Sequence, residues 1–163
     1  MISVQPFYAR GLNFSCRRCS ACCRFDPGFV FLRKADLNAL VSALAMKEDA
    51  FIKTYCRWVP DAGFFAGDSP GRGSENPVRE LLSLREKSNF DCIFWENGCT
   101  VYEERPLQCG TFPFWESIVH SSVSWNELMK DCPGMGKGRA YSRAEIENML
   151  ARASSEPIIT RTV

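Results

Sequence analysis

The sequence predicts a small α+β domain with a β-hairpin and about three to four helices, and three observations carry that prediction. A chain of 163 residues, 45% apolar and 24% charged, is long enough to bury a sizeable core and too balanced for wholesale disorder. Asn97-Gly98 stands between two β-rich runs, the short-range signature of a hairpin. Leu37, Leu40, Val41 and Leu44 recur at i, i+3, i+4 and i+7, which is one face of an amphipathic helix.

Taken in order, Asn13 to Asp26 reads as a loop rich in Cys and Arg, and Pro27-Gly28 breaks any helix begun there. Phe29 to Leu32 is a short apolar run expected as a buried strand. The periodic segment predicts a helix from Lys34 to Met46, and a second helix is expected from Asp49 to Arg57 with Cys56 on its apolar face. Pro60 to Pro77, with four Gly and three Pro, is the most loop-like stretch. Leu81 to Leu84 reads as a strand or a helical turn.

Cys92 to Trp95 and Cys99 to Tyr102 are the two arms of the expected hairpin, which would set Cys92 and Cys99 on neighbouring strands. Glu103 to Cys109 reads as a helical turn interrupted by Pro106, and Ile118 to Trp125 as a strand. Cys132-Pro133-Gly134 opens a Gly-rich loop whose use is close backbone approach. Tyr141 to Ala153 is the last helix, its start marked by Ser142 and Glu145 as a capping box. Residues 1–153 therefore read as one domain and 154–163 as a loosely held C-terminal tail.

Composition narrows the function. A net charge of +1 leaves no basic footprint for nucleic acid. No stretch has the roughly 18 to 20 apolar residues that cross a bilayer, and Met1 to Phe14 lacks the charged-then-apolar order of a secretory signal. The chain is thus expected in the cytoplasm with its thiols reduced, where clustered cysteines are more often metal ligands than disulfides. No feature of the sequence names a protein partner.

Nine cysteines are the outlier. Cys16, Cys19, Cys22 and Cys23 form two successive C-x2-C steps with an adjacent fourth, and Cys92, Cys99, Cys109 and Cys132 form a later set. Thiolate binds zinc and iron-sulfur clusters strongly, and a C-x2-C step folds the chain back so that both sulfurs face one ion. The plain alternative, small buried hydrophobes, suits Cys56 but not Cys16 to Cys23, which are flanked by Arg and Ser. Neighbouring side chains leave the backbone in different directions, so Cys22 and Cys23 are expected to serve different ions or a polynuclear site with a bridging sulfur. Eight ligands then make two four-cysteine sites, each mixing early and late residues, and the metal would staple the fold.

An iron-sulfur centre is the competing occupant. Cys16, Cys19 and Cys22 match the first three cysteines of the bacterial ferredoxin run, with Asp26-Pro27 at the place of its Cys-Pro, although Asp26 reads better as part of a turn. Arg17, Arg18, Arg24 and Arg105 lie near the ligands and are candidate donors to sulfur. His120, the only histidine, reads as a surface residue. Asp61, Asp68, Glu103 and Glu104 show no acid-base spacing, and no phosphate loop is present. No catalytic residue is assigned.

Cys16-x2-Cys19-x2-Cys22-Cys23, followed by Gly98-Cys99-x2-Tyr102-x2-Arg105-Pro106-x2-Cys109-x2-Phe112-Pro113-Phe114 and Cys132-x-Gly134, resembles the YkgJ-type cysteine cluster family of zinc- or iron-chelating proteins. The resemblance implies the same eight cysteines as ligands and excludes Cys56. One departure is Gly110, where family members usually carry Arg after the cysteine of the Arg-Pro-x2-Cys motif. The family is also similar to the cysteine-rich part of flagellin lysine methylases, which implies a cluster-dependent protein-modifying enzyme as the alternative. The chain is short for a separate methyl-donor domain.

Overall fold

The computed structural model describes residues 5–61 and 79–163, so most of the expected Pro60 to Pro77 loop, including Asp68, lies outside the described residues. Strand β1 (Leu12–Phe14) leads into the cysteine loop, where Ala21–Cys23 form a single 3-10 turn. Helices α1 (Lys34–Ala43) and α2 (Glu48–Tyr55) follow, then strands β2 (Cys56–Pro60) and β3 (Arg79–Leu84). The second half holds α3 (Leu107–Gly110), α4 (Glu116–Val119), α5 (Ser122–Met129), β4 (Met135–Tyr141), α6 (Arg143–Ser155) and β5 (Thr160–Thr162). The α+β class is as expected, with six α-helices among the described residues, two of them single four-residue turns. No helix among those residues is long and apolar enough to cross a membrane.

Two antiparallel sheets organise the chain: β1 pairs with β4, and β3 lies between β2 and β5. Each of the two larger hydrophobic clusters is built across distant segments. The first packs Leu32, Leu37, Leu40, Phe51, Cys56, Leu82, Leu84, Phe94 and Val101. The second packs Phe14, Phe114, Val119, Trp125, Cys132, Met135 and Ile146. Leu37 and Leu40 of the predicted helical face are fully buried, as the spacing requires.

Several expectations are corrected. The second helix ends at Tyr55, and Cys56 opens β2, because Cys56 to Pro60 pair residue by residue with Leu84 to Glu80. Cys56 is nevertheless a buried core residue, and burial pushes its thiol up to about 12. Phe29 to Leu32 does not form a full strand: Phe31 makes a single bridge to Ser83 while Leu32 lies in the first core. Asn97 and Gly98 both take positive φ, but the ribbon does not form around them. Trp95 and Cys99 make one bridge while Cys92 bridges Glu86, because the Trp95 N–H bonds back to the Cys92 carbonyl at 2.9 Å and curls that arm into a turn. The antiparallel pair of the fold is β2 with β3.

Ile118 to Trp125 is helical rather than extended. Ser121 acts as a cap, its hydroxyl accepting the Ser124 N–H at 3.1 Å, so the apparent alternation is a break between α4 and α5. The Gly-rich loop after Cys132 is strand β4. Two of its glycine-dependent contacts explain the composition: a Cβ on Gly134 would stand 2.3 Å from the Ser15 carbonyl oxygen, and Gly138 combines φ of +73° with a clash against Ser15. The expected close approach is therefore real and falls on the residue preceding Cys16. The predicted capping box at Ser142 and Glu145 starts α6. The last ten residues are not loose. Thr160–Thr162 add to β3, and the buried Arg33 side chain donates to the Glu156 and Ala153 carbonyls at 3.0 Å each, which holds the end of α6.

Candidate metal centre

The eight candidate cysteines fall into two neighbourhoods. Cys22, Cys23, Cys92 and Cys109 line one cleft of about 280 Å³, together with Arg24, Gln108 and Trp115. Three tertiary joints build it. The Cys92 N–H donates to the Cys23 carbonyl at 2.8 Å, which sets the early pair directly beside the later cysteine. Arg24 donates to the buried Asp91 at 2.9 Å and its guanidinium lies over the Trp95 ring, 3.7 Å from the centroid, fixing the turn on both sides of Cys92. Cys109 is delivered by α3: Asp36 of α1 accepts the Leu107 N–H at 2.8 Å, and the Gln108 side chain bonds the backbone of Phe29 and Phe31.

The second neighbourhood forms where β1 meets β4. The Ser15 N–H donates to the Gly134 carbonyl at 3.1 Å, and the Ser15 hydroxyl accepts the Arg139 N–H at 3.0 Å. This joint carries Cys16 and Cys19, both exposed, alongside Cys132, which is buried in the second core. Cys132 interacts electrostatically with Cys19 and Cys22. Cys99 packs against the first core and interacts with Cys92 and Cys109. Cys22 thus belongs to both neighbourhoods.

Adjacent Cys22 and Cys23 do not diverge as the sequence suggested. The 3-10 turn curls them to one side, their sulfurs are 3.7 Å apart, and both line the cleft. That separation is about the edge of a tetrahedron with metal-sulfur bonds of roughly 2.3 Å. Among the described residues no three Cys, His, Asp or Glu side chains converge into a ready-made metal-holding group.

The electrostatics describe crowded sulfurs. Cys22 is lowered to about 7 by the hydrogen bond from the Cys23 thiol, which pushes Cys23 itself far up, with burial and the nearby Cys109 and Cys92 adding to the rise. Burial raises Cys92, Cys109 and Cys132, and neighbouring thiols raise each further. Without a cation only a minority of these groups can be thiolate together, and a bound divalent cation reverses that balance. The donor set therefore fits zinc or iron: all-sulfur, partly buried and gathered from both ends of the chain.

Residues 15–133 match the CxxCxxCC family, described as "Putative zinc- or iron-chelating domain". The chain belongs to this family. The match spans nearly three quarters of the 163 residues and begins one residue before Cys16 and ends one residue after Cys132, so it encloses every candidate ligand. No solved structure matches the chain. Family membership supports metal binding as such, with zinc and iron both inside the description.

Three of the arginines expected to donate to sulfur are engaged elsewhere. Arg24 pairs with Asp91, while Arg18 and Arg105 lie over the Tyr102 ring at 4.1 and 4.0 Å. A backbone group reaches sulfur instead: the Arg18 N–H points at the Cys16 sulfur at 3.4 Å. Tyr102 and Asp91 have no role in the cysteine spacing and gain one only through these contacts. A tyrosine between Cys99 and Arg105, and an acid directly before Cys92, were the available signals. His120 is exposed, and its ring nitrogen contacts the Ser124 hydroxyl of α5 at 3.2 Å.

Proposed function

We propose that this CxxCxxCC protein is a cytoplasmic metal-binding protein in which Cys16, Cys19, Cys22, Cys23, Cys92, Cys99, Cys109 and Cys132 chelate zinc or iron. The observation that carries the reading is the single cleft lined by Cys22, Cys23, Cys92 and Cys109, residues separated by up to 87 positions in the chain. Sulfurs drawn together over that distance hold the fold in a way that local ligands cannot, and binding free energy at such a site becomes folding free energy. The cleft set supplies one four-cysteine site. Cys16, Cys19, Cys99 and Cys132 are the remaining donors, and Cys22, near both groups, is the sulfur placed to join them into a polynuclear centre. Bound zinc or iron would supply the positive charge that allows these sulfurs to be thiolate together. An all-thiolate donor set favours a closed structural site over a catalytic one, which keeps a position open.

Elemental analysis and visible absorption of anaerobically purified protein test this directly. About two zinc ions per chain in a colourless protein is the zinc form, and a brown protein with several irons is the cluster form. Absence of both metals at stoichiometric level, with all eight thiols alkylated at the rate of free cysteine, would falsify the reading.

A further inference from the structure

Cys23 and Cys92 are joined twice, and only one of the joints is backbone. The Cys92 N–H donates to the Cys23 carbonyl at 2.8 Å. Arg24 directly follows Cys23, Asp91 directly precedes Cys92, and the Arg24 Nε donates to Asp91 Oδ1 at 2.9 Å across 67 positions of sequence. A single bond leaves a hinge, whereas two attachments one residue apart on both segments fix direction as well as separation. The ion pair is itself locked. The Asp91 side chain is 4% exposed, its other carboxylate oxygen accepts the Asn89 side-chain N–H at 2.9 Å, and the Arg24 guanidinium lies 3.7 Å from the centroid of the Trp95 ring. Neither partner can turn away without leaving a desolvated charge unpaired.

We propose that the Arg24–Asp91 ion pair is a positioning device for metal, holding Cys23 and Cys92 as one pre-set pair of ligands in the cleft. The proposal rests on the reading of these two cysteines as ligands. Arg24 then serves the site without touching sulfur. Asp91 offsets the charge of Arg24, so the pair acts through geometry rather than by lending positive charge to thiolates. It supplies, before an ion arrives, part of the ordering that the ion would otherwise have to impose. Donors set in place beforehand bind more tightly because less freedom is lost on binding.

Asp91→Asn keeps the size of the side chain and removes its charge. Zinc affinity of the full chain is measured by competition with a chromophoric chelator for wild type, Asp91→Asn, Cys92→Ala and the double variant. Glu80→Gln, which gives up the Glu80–Arg161 ion pair between β3 and β5, is the control. Asp91→Asn is expected to weaken zinc binding about fivefold or more. Beside Cys92→Ala it should add less than about twofold, because the pair then has no second ligand to place. Wild-type affinity in Asp91→Asn, its full loss persisting beside Cys92→Ala, or an equal loss in Glu80→Gln overturns the positioning role and leaves chelation standing. A wild type that binds neither zinc nor ferrous iron overturns chelation instead. Hydrogen exchange then decides the joint in metal-free protein. The Cys92 amide should exchange faster in Asp91→Asn, with the Ser15 amide at the β1–β4 joint unchanged, and unchanged Cys92 protection or equal loss at both overturns the pair's hold. If Asp91→Asn does not keep the circular dichroism of wild type, Arg24→Lys, which keeps the charge and gives up the planar fork, carries the same comparisons, with a several-fold loss of zinc affinity expected.

Discussion

The cleft thiols and the thiols of the β1–β4 joint are held by different means. In the cleft, Cys92 and Cys109 are partly buried, and backbone and ionic joints through Cys23, Asp91 and Asp36 place them. At the joint, Cys16 and Cys19 are exposed and depend on a three-residue strand that meets its partner through glycines. The difference teaches that hydrogen bonds and an ion pair set the cleft thiols, while at the joint backbone pairing brings two exposed cysteines beside Cys132, itself buried in the second core. Metal binding at either group should stabilise the contacts that hold it.

Removing metal altogether gives the largest expected effect. Chelation of the loaded protein should lower its melting temperature by more than about 10 °C, because ligands distant in sequence turn binding energy into folding energy. Calorimetry with and without chelator measures it, and a shift of only about a degree would mean that the two halves are held without metal. Next, Gly138→Ala should destabilise the chain by about 2–3 kcal/mol and speed alkylation of Cys16 and Cys19, since the added methyl meets Ser15 and the backbone holds a left-handed conformation. Labelling of Cys92 and Cys109 should barely change, which separates the joint from the cleft.

Asp91→Asn acts on the other side of the comparison. Its carboxylate is buried against Arg24, so the loss should be about 1–2 kcal/mol with faster labelling of Cys92 and none at Cys19. The smallest effect concerns Glu145, which caps α6 through Ser142 behind β4. Hydrogen bonds from the Ser142 backbone and side chain, helped by Arg139, hold its carboxyl below the usual range. A depressed carboxyl contributes stability above its unfolded value of about 4.3 and loses it as pH falls through the lower folded value. Thermal melts of wild type and Glu145→Gln should therefore differ at neutral pH and converge in acid.

Helix α1 and the capping box of α6 were legible because their signals are local. Leucines at helical spacing, or a serine three residues before a glutamate, need no distant partner to be understood. The misread elements share the opposite property. Strand β4 carries glycines because Ser15, more than a hundred residues earlier, lies against it. Ile118 to Trp125 shows an alternation that Ser121 interrupts as a cap. Thr160–Thr162 have little burial of their own and become a strand only because β3 offers an edge.

The candidate site divides in the same way. Spacing and neighbours singled out eight cysteines from nine, and the family pattern encloses all eight. That information is chemical: thiols repeated at C-x2-C beside arginines, with Cys56 in apolar company. Which sulfurs share a cleft was decided by tertiary structure alone, because the 3-10 turn at Ala21–Cys23 and the bond from Cys92 to Cys23 are contacts between segments that the sequence keeps far apart. The sequence marks the candidate donors, since ligand chemistry belongs to the side chain. The fold decided the grouping and laid Arg18 and Arg105 over the Tyr102 ring, since distance and direction exist only once the chain has closed on itself.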